Sequence, residues 1–165
     1  MNHTCDFVVP APVEDVMALY ADGEFYAAKL KNSGALTVEL LVHEEREDGT
    51  KFMRAQGTEP TRVPNIPGFR KSDVDTFIDE NVLDRKARTL TWKVIPEIMV
   101  DKFFLYGHME FQPAPENATR IVFNTTMEIK IPFIGKKAEK IGLSKTEEEV
   151  GRQVEFVKGW IAAHA

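Results

Sequence analysis

The sequence has little of what disulfide-bonded, metal-dependent or membrane-spanning proteins are built from. Its one cysteine, Cys5, excludes an intramolecular disulfide and any cysteine-based metal site, so the expected compartment is the reducing cytoplasm. The four histidines, His3, His43, His108 and His164, are scattered, and none has a second His or Cys at ligand spacing, so no metal or other cofactor is expected. A glycine-rich phosphate loop is missing, Gly135 and Gly142 standing alone, and Ser144 sits in no nucleophile elbow. No apolar run approaches the ~18 residues of a membrane span, and Met1-Asn2-His3-Thr4 lacks the basic start and apolar core of a signal peptide. Positive charge is also in deficit. With 21 Lys and Arg against 26 Asp and Glu, the formal charge of -5 argues against nucleic acid or an anionic membrane as a general partner and leaves only local patches.

What is present suits one soluble domain over residues 1–165, since 165 residues at 43% hydrophobic are enough for a single well-formed core. The chain is organised around its C-terminal stretch. Leu143, Thr146, Val150, Val154, Val157 and Ile161 recur at helical spacing, and Ser144 with Glu147 matches a capping box. A helix from Ser144 to Ala165 would run about 33 Å at ~1.5 Å per residue, long enough to cross a sheet.

The preceding residues supply that sheet. Thr4 to Val9 is strand-like and stops at Pro10 and Pro12, after which Val13 to Tyr20 and Glu24 to Lys31 read as two short helices. From Ala35 the period changes to two. Three hairpins follow: Leu36–His43 with Lys51–Thr58, Ser72–Val82 with Arg88–Ile95, and Asp101–Gln112 with Thr119–Lys130. In the last one, Met109 opposes Phe123, Gly107 opposes Thr125 and Leu105 opposes Met127 on an apolar face; Gly107 would leave space at mid-sheet, though a bend or bulge is the commoner reason for such a glycine. Tyr106, His108, Glu110 and Asn124 fall on the wet face, where His108 beside Glu110 reads as a surface pair. On the strand after Ser72, Val74, Thr76 and Ile78 are expected to point inward, leaving Asp73, Asp75 and Asp79 solvated. The loop from Glu59 to Phe69 holds three prolines together with Val63, Ile66 and Phe69. It is expected to pack against the domain end, with a cavity lid or a tip for transient membrane contact (Val63 to Phe69) as alternatives; stable membrane insertion is not expected. The fold class is therefore α+β: a curved antiparallel sheet of about seven strands around a long C-terminal helix, with two short helices after the first strand.

Element order over the whole chain, together with Phe7-Val-Val-Pro-Ala-Pro-Val-Glu-Asp-Val16 and the segment from Ile131-Pro-Phe-Ile-Gly135 to Glu139, resembles the START-like helix-grip superfamily (SRPBCC). This superfamily also takes in the birch-pollen-allergen proteins, polyketide cyclases and coenzyme-Q-binding proteins. The second segment is similar to a little-characterised bacterial branch with Ile-Pro-x-x-Gly-Gly-Lys and a nearby Glu, although Lys136 stands where that branch usually has its second glycine. Glu139, with Lys136, Lys137 and Lys140, is expected to form a charged surface that serves as structural entry to the helix. The resemblance implies a hydrophobic cavity between sheet and helix, used by relatives for lipids, sterols, polyketides or quinones.

The residues expected to line it are Met53, Trp92, Leu105, Met109, Phe123, Met127, Val150 and Val154, with Thr125, Gln153 or Tyr26 orienting a ligand. The first functional reading is non-enzymatic binding or transport of a hydrophobic small molecule. The alternative is a cyclase- or dehydratase-like enzyme in the same cavity, which needs an inward-facing acid or base; the strand faces above place none there. A third is a solid-cored interaction module using Phe104 and Tyr106, which would serve a homodimer equally well, so monomer and homodimer both stay open.

Overall fold

A computed structural model describes residues 1–61 and 73–164. β1 (Asn2–Val9) alternates exposed and inward residues until Pro10 and Pro12 end it, because proline brings no N–H to a ladder. α1 (Val13–Tyr20) buries Val13, Val16, Met17 and Tyr20, one stripe at helical spacing. α2 (Gly23–Asn32) is capped by Asp22, whose carboxylate accepts the Phe25 N–H at 3.0 Å.

Six strands follow: β2 (Thr37–Glu45), β3 (Thr50–Pro60), β4 (Val74–Asp84), β5 (Thr89–Pro96), β6 (Phe103–Ala114) and β7 (Ala118–Ile129). They form one antiparallel sheet in the order β1-β7-β6-β5-β4-β3-β2, so consecutive strands pair and β1 closes the far edge beside β7. The β6–β7 register is the expected one, Met109 facing Phe123, Gly107 facing Thr125 and Leu105 facing Met127. Gly107 neither leaves space nor marks a bulge, since the register runs through it unbroken. A Cβ there would collide with the Asn124 carbonyl oxygen and crowd Trp92 Cζ2, so the glycine serves close strand approach and the Trp92 ring fills the space above it. The loop Val63 to Phe69 lies outside the described residues.

The C-terminal helix is bent into two, α3 (Gly135–Leu143) and α4 (Thr146–Ala163). The bend removes the expected capping box: Ser144 Oγ donates to the Ile141 carbonyl at 2.7 Å, which closes α3, and Lys145 precedes α4 without a side-chain cap. Glu139 likewise departs from the surface position expected of it. It is 3% exposed and accepts the Ile129 N–H at 2.9 Å, and this bond holds its carboxyl below the usual range. One turn earlier, a Cβ on Gly135 would collide with the Ile129 carbonyl oxygen. Together the two residues dock α3 on the end of β7, a structural role for this segment. α4 crosses the concave face from β1 to α2, where Phe25 meets Phe156 and Trp160 at ring separations of 5.9 and 5.5 Å.

Candidate functional site

Antiparallel pairing aligns the inward residues of neighbouring strands into rows across the concave face. One row reads Lys51, Leu83, Leu90, Met109, Phe123 and Cys5 from β3 to β1. The next reads Met53, Asn81, Trp92, Gly107, Thr125 and His3, and the third Ala55, Asp79, Val94, Leu105 and Met127.

These rows correct the reading of β4. The face carrying Asp75 and Asp79 is the concave one, and Val74, Thr76 and Ile78 belong to the convex face. The tight turn after Asp84 sets Leu83 opposite Leu90 and Asn81 opposite Trp92, so once Leu90 and Trp92 point inward the β4 residues beside them must follow. The convex face of β4 carries Glu80, held by Arg54 at 2.7 Å and Lys93 at 3.1 Å. Asp79 and Asn81 are 7% and 2% exposed.

α2 completes a polar cluster around them. Tyr26 Oη donates to Asp79 Oδ1 at 2.6 Å and lies 3.0 Å from the Asp79 carbonyl oxygen. Lys29, one turn along the helix, is buried with its ammonium 5.3 Å from the Tyr20 ring centre and 5.6 Å from that of Tyr26. Burial pushes the Asp79 carboxyl above its usual range, against the opposing charge of Lys29. The Lys29 ammonium is pulled down by burial and held up by Asp79. Burial raises the Tyr26 phenol, and the Asp79 charge adds to it.

Next to this cluster, polar atoms go unpaired. Among the described residues, three buried side-chain atoms have no hydrogen-bond partner: Asn81 Nδ2, His3 Nδ1 and Tyr20 Oη. Two of them, from Asn81 and His3, share one row, four strand spacings or about 19 Å apart along the sheet at ~4.8 Å per strand. Thr125, also buried, lies between them.

The expected lining residues divide by row. Met109, Phe123 and Val154 are packed in the main core cluster, with Trp92 and Val150 against it. Met53 belongs to a small second cluster with Tyr26 and Ala55, flanked by Leu30 and Val38. Leu105 and Met127 are half-buried on the concave face, as are Val94 and Trp92. Two open grooves lie elsewhere. One, of about 380 Å³ beside α1, is lined by Met17, His43, Lys51 and Arg85 and crossed by the Glu45 pairs with Arg85 (2.9 Å) and Lys51 (3.5 Å). The other, of about 370 Å³, follows Ile131 to Lys136. His108 and Glu110, 3.7 Å apart, are on the convex surface. Cys5 is half-buried and its thiol is raised, chiefly by burial.

A family model described as "Protein of unknown function (DUF2505)" matches residues 4–161. The uncharacterised protein Rv0481c of Mycobacterium tuberculosis is 23% identical over 158 residues, 90% of each chain. Among solved structures, TTHA0849 from Thermus thermophilus has a TM-score of 0.69 at 21% identity, over 100% of this chain and 99% of its own. The ZhuI aromatase/cyclase from Streptomyces sp. R1128 has 0.65 at 16%, over 96% and 92%. A START superfamily protein from Mycobacterium smegmatis has 0.64 at 16%, over 99% of each. At these identities the structures establish the fold, which is START-like.

Proposed function

We propose that this chain, which belongs to the DUF2505 family and has the START-like fold, binds an elongated apolar small molecule on its concave face. The ligand lies along the rows of Trp92 and Leu105, with an oxygen on the amide of Asn81. The observation that carries the reading is the unpartnered Asn81 Nδ2 set between half-buried Trp92 and the Tyr26–Asp79–Lys29 cluster. A buried donor without a partner costs about 1–3 kcal/mol, and a ligand carbonyl or hydroxyl would recover it. Trp92, Val94, Leu105 and Met127 supply apolar contact at about 25 cal/mol per Å² buried. Met53 and Val150 flank the site, while Met109, Phe123 and Val154 form its packed floor. The ligand classes are those of the superfamily: lipid, sterol, quinone or polyketide-like.

The test is displacement of the neutral fluorophore N-phenylnaphthylamine by matched pairs of long-chain molecules with and without one oxygen. The reading expects displacement, with the oxygen-bearing member of each pair stronger and its advantage lost in Asn81→Leu. Failure of every pair to displace the fluorophore from the folded chain would overturn it.

A second reading, a cyclase-like enzyme, is favoured by the same cluster: Asp79 is the inward titratable group such chemistry needs, and a buried acid and lysine that perturb each other are a common mark of an active site. Turnover of a bound ligand by wild type and its loss in Asp79→Asn, with binding retained, would move the assignment to this reading.

A further inference from the structure

One end of the sheet carries a surface that ligand binding does not explain. In the segment between β7 and α3, Phe133 is fully exposed and its backbone is in the left-handed region at φ 70°, with exposed Ile134 after it. A bulky residue at positive φ is uncommon and a ring wholly in water is unfavourable, so the free chain holds this tip at a cost on both counts. Ile141 is exposed on the outer face of α3, opposite the buried stripe of Gly135, Glu139 and Leu143. In the neighbouring β5–β6 loop, Ile98 and Val100 are also exposed, and the Lys130 N–H to Lys102 carbonyl bond of 2.7 Å joins the two segments.

The charge around this patch is opposite to that of the chain. Residues 97–102 and 130–145 hold six lysines against three acidic residues, Glu97, Asp101 and Glu139, in a protein whose formal charge is -5. Glu139 is buried and bonded to Ile129, which leaves the α3 lysines facing outward. Lys136 reaches it at 3.5 Å, while Lys137 and Lys140 have no ion-pair partner among the described residues. Lys130 lies over the Phe104 ring at 4.6 Å. The exposed Glu147, Glu148 and Glu149 bound the basic patch on the far side of Lys145.

We infer that this end docks on an anionic phospholipid surface, with Phe133 and Ile134 inserted at the interface and Lys137 and Lys140 against headgroups. An apolar tip ringed by lysines matches both demands of such a surface, where each basic residue near the headgroups strengthens binding roughly fivefold. Half-buried Leu105 and Met127 lie toward the same end of the concave face, so docking would present that face to the bilayer; the docking itself does not depend on what the face holds.

Vesicle flotation with the full chain tests this, using phosphatidylcholine alone and phosphatidylcholine mixed with phosphatidylserine. Wild type should float with the mixed vesicles at low salt and be released as salt rises. Lys137→Gln with Lys140→Gln should weaken binding about 30-fold. Phe133→Ser with Ile134→Ser should abolish it. All four positions are exposed, so circular dichroism should show both double variants folded. Wild type remaining unbound at low salt, or both double variants floating like wild type, would overturn the inference. So would a Phe133-dependent dimer in place of vesicle binding.

Discussion

Two adjacent rows of the concave face, one pleat apart, treat their side chains in opposite ways. Leu83, Leu90, Met109 and Phe123 lie at 0, 1, 3 and 5% exposure, within the core cluster that includes Val154 and Val157 of α4. In the neighbouring row, Asn81 and His3 keep buried polar atoms without partners and Trp92 stays half-open. Both rows come from the same strands and the same pleat. The difference lies in the residues each row carries, apolar and packed at the centre of the first, polar with unpaired atoms at Asn81 and His3 in the second. With a typical net stability of ~5–15 kcal/mol, an unpaired buried donor is a sizeable expense for a fold to retain. The proposed ligand site draws on the second row, and the first supplies packed core.

Substitutions can break that contrast in graded steps. Leu90→Ala, in the dry row, should lower unfolding free energy most, by about 2–5 kcal/mol in urea titration, with little effect on ligand preference. Tyr26→Phe removes the donor to Asp79 Oδ1 and should cost about 1–3 kcal/mol by the same measurement.

Asp79→Asn should change how stability depends on pH. The folded carboxyl titrates above the ordinary 3.8 because burial disfavours its charge. Its stabilising contribution is therefore complete below that pH and lost as pH rises through the higher folded value. The stability of wild type relative to Asp79→Asn should fall across this window in urea titrations at stepped pH; a flat profile would mean an unperturbed carboxylate, and a rising one a carboxylate whose charge the fold stabilises, as through Lys29. The smallest change in stability belongs to Asn81→Leu, which deletes the unpaired donor. It should leave the unfolding free energy unchanged or raise it by up to about 1 kcal/mol, while weakening oxygen-bearing ligands about tenfold.

Much of this architecture is readable from residue spacing. The β6–β7 register follows from period-two alternation on both sides of a short turn, and the α4 stripe of Val150, Val154 and Val157 from period 3.6. The β4 face is harder to read, because its outward Val74, Ile78 and Val82 look more apolar than its inward Asp79 and Asn81. The partner strand carries the usable signal. Leu90 and Trp92 point inward, and the short turn after Asp84 passes that orientation to Leu83 and Asn81. Tyr26 reads as a candidate orienting group from the sequence, but its partner Asp79 is 53 residues away and only tertiary packing joins them. The bend at Ser144 is invisible in the spacing because a serine there reads as an N-cap for α4, whereas its hydroxyl closes α3. Glu139 reads as solvated among lysines because no pattern of spacing reveals the backbone N–H it accepts at Ile129.

Whether Asn81 anchors an apolar ligand is decided by native mass spectrometry of wild type and Asn81→Leu purified from the protein's own host, followed by identification of what denaturation releases. Wild type should release about one oxygen-bearing apolar molecule per chain, and the folded variant clearly less. Equal occupancy in both, or a released molecule without any hydrogen-bonding oxygen, would contradict it.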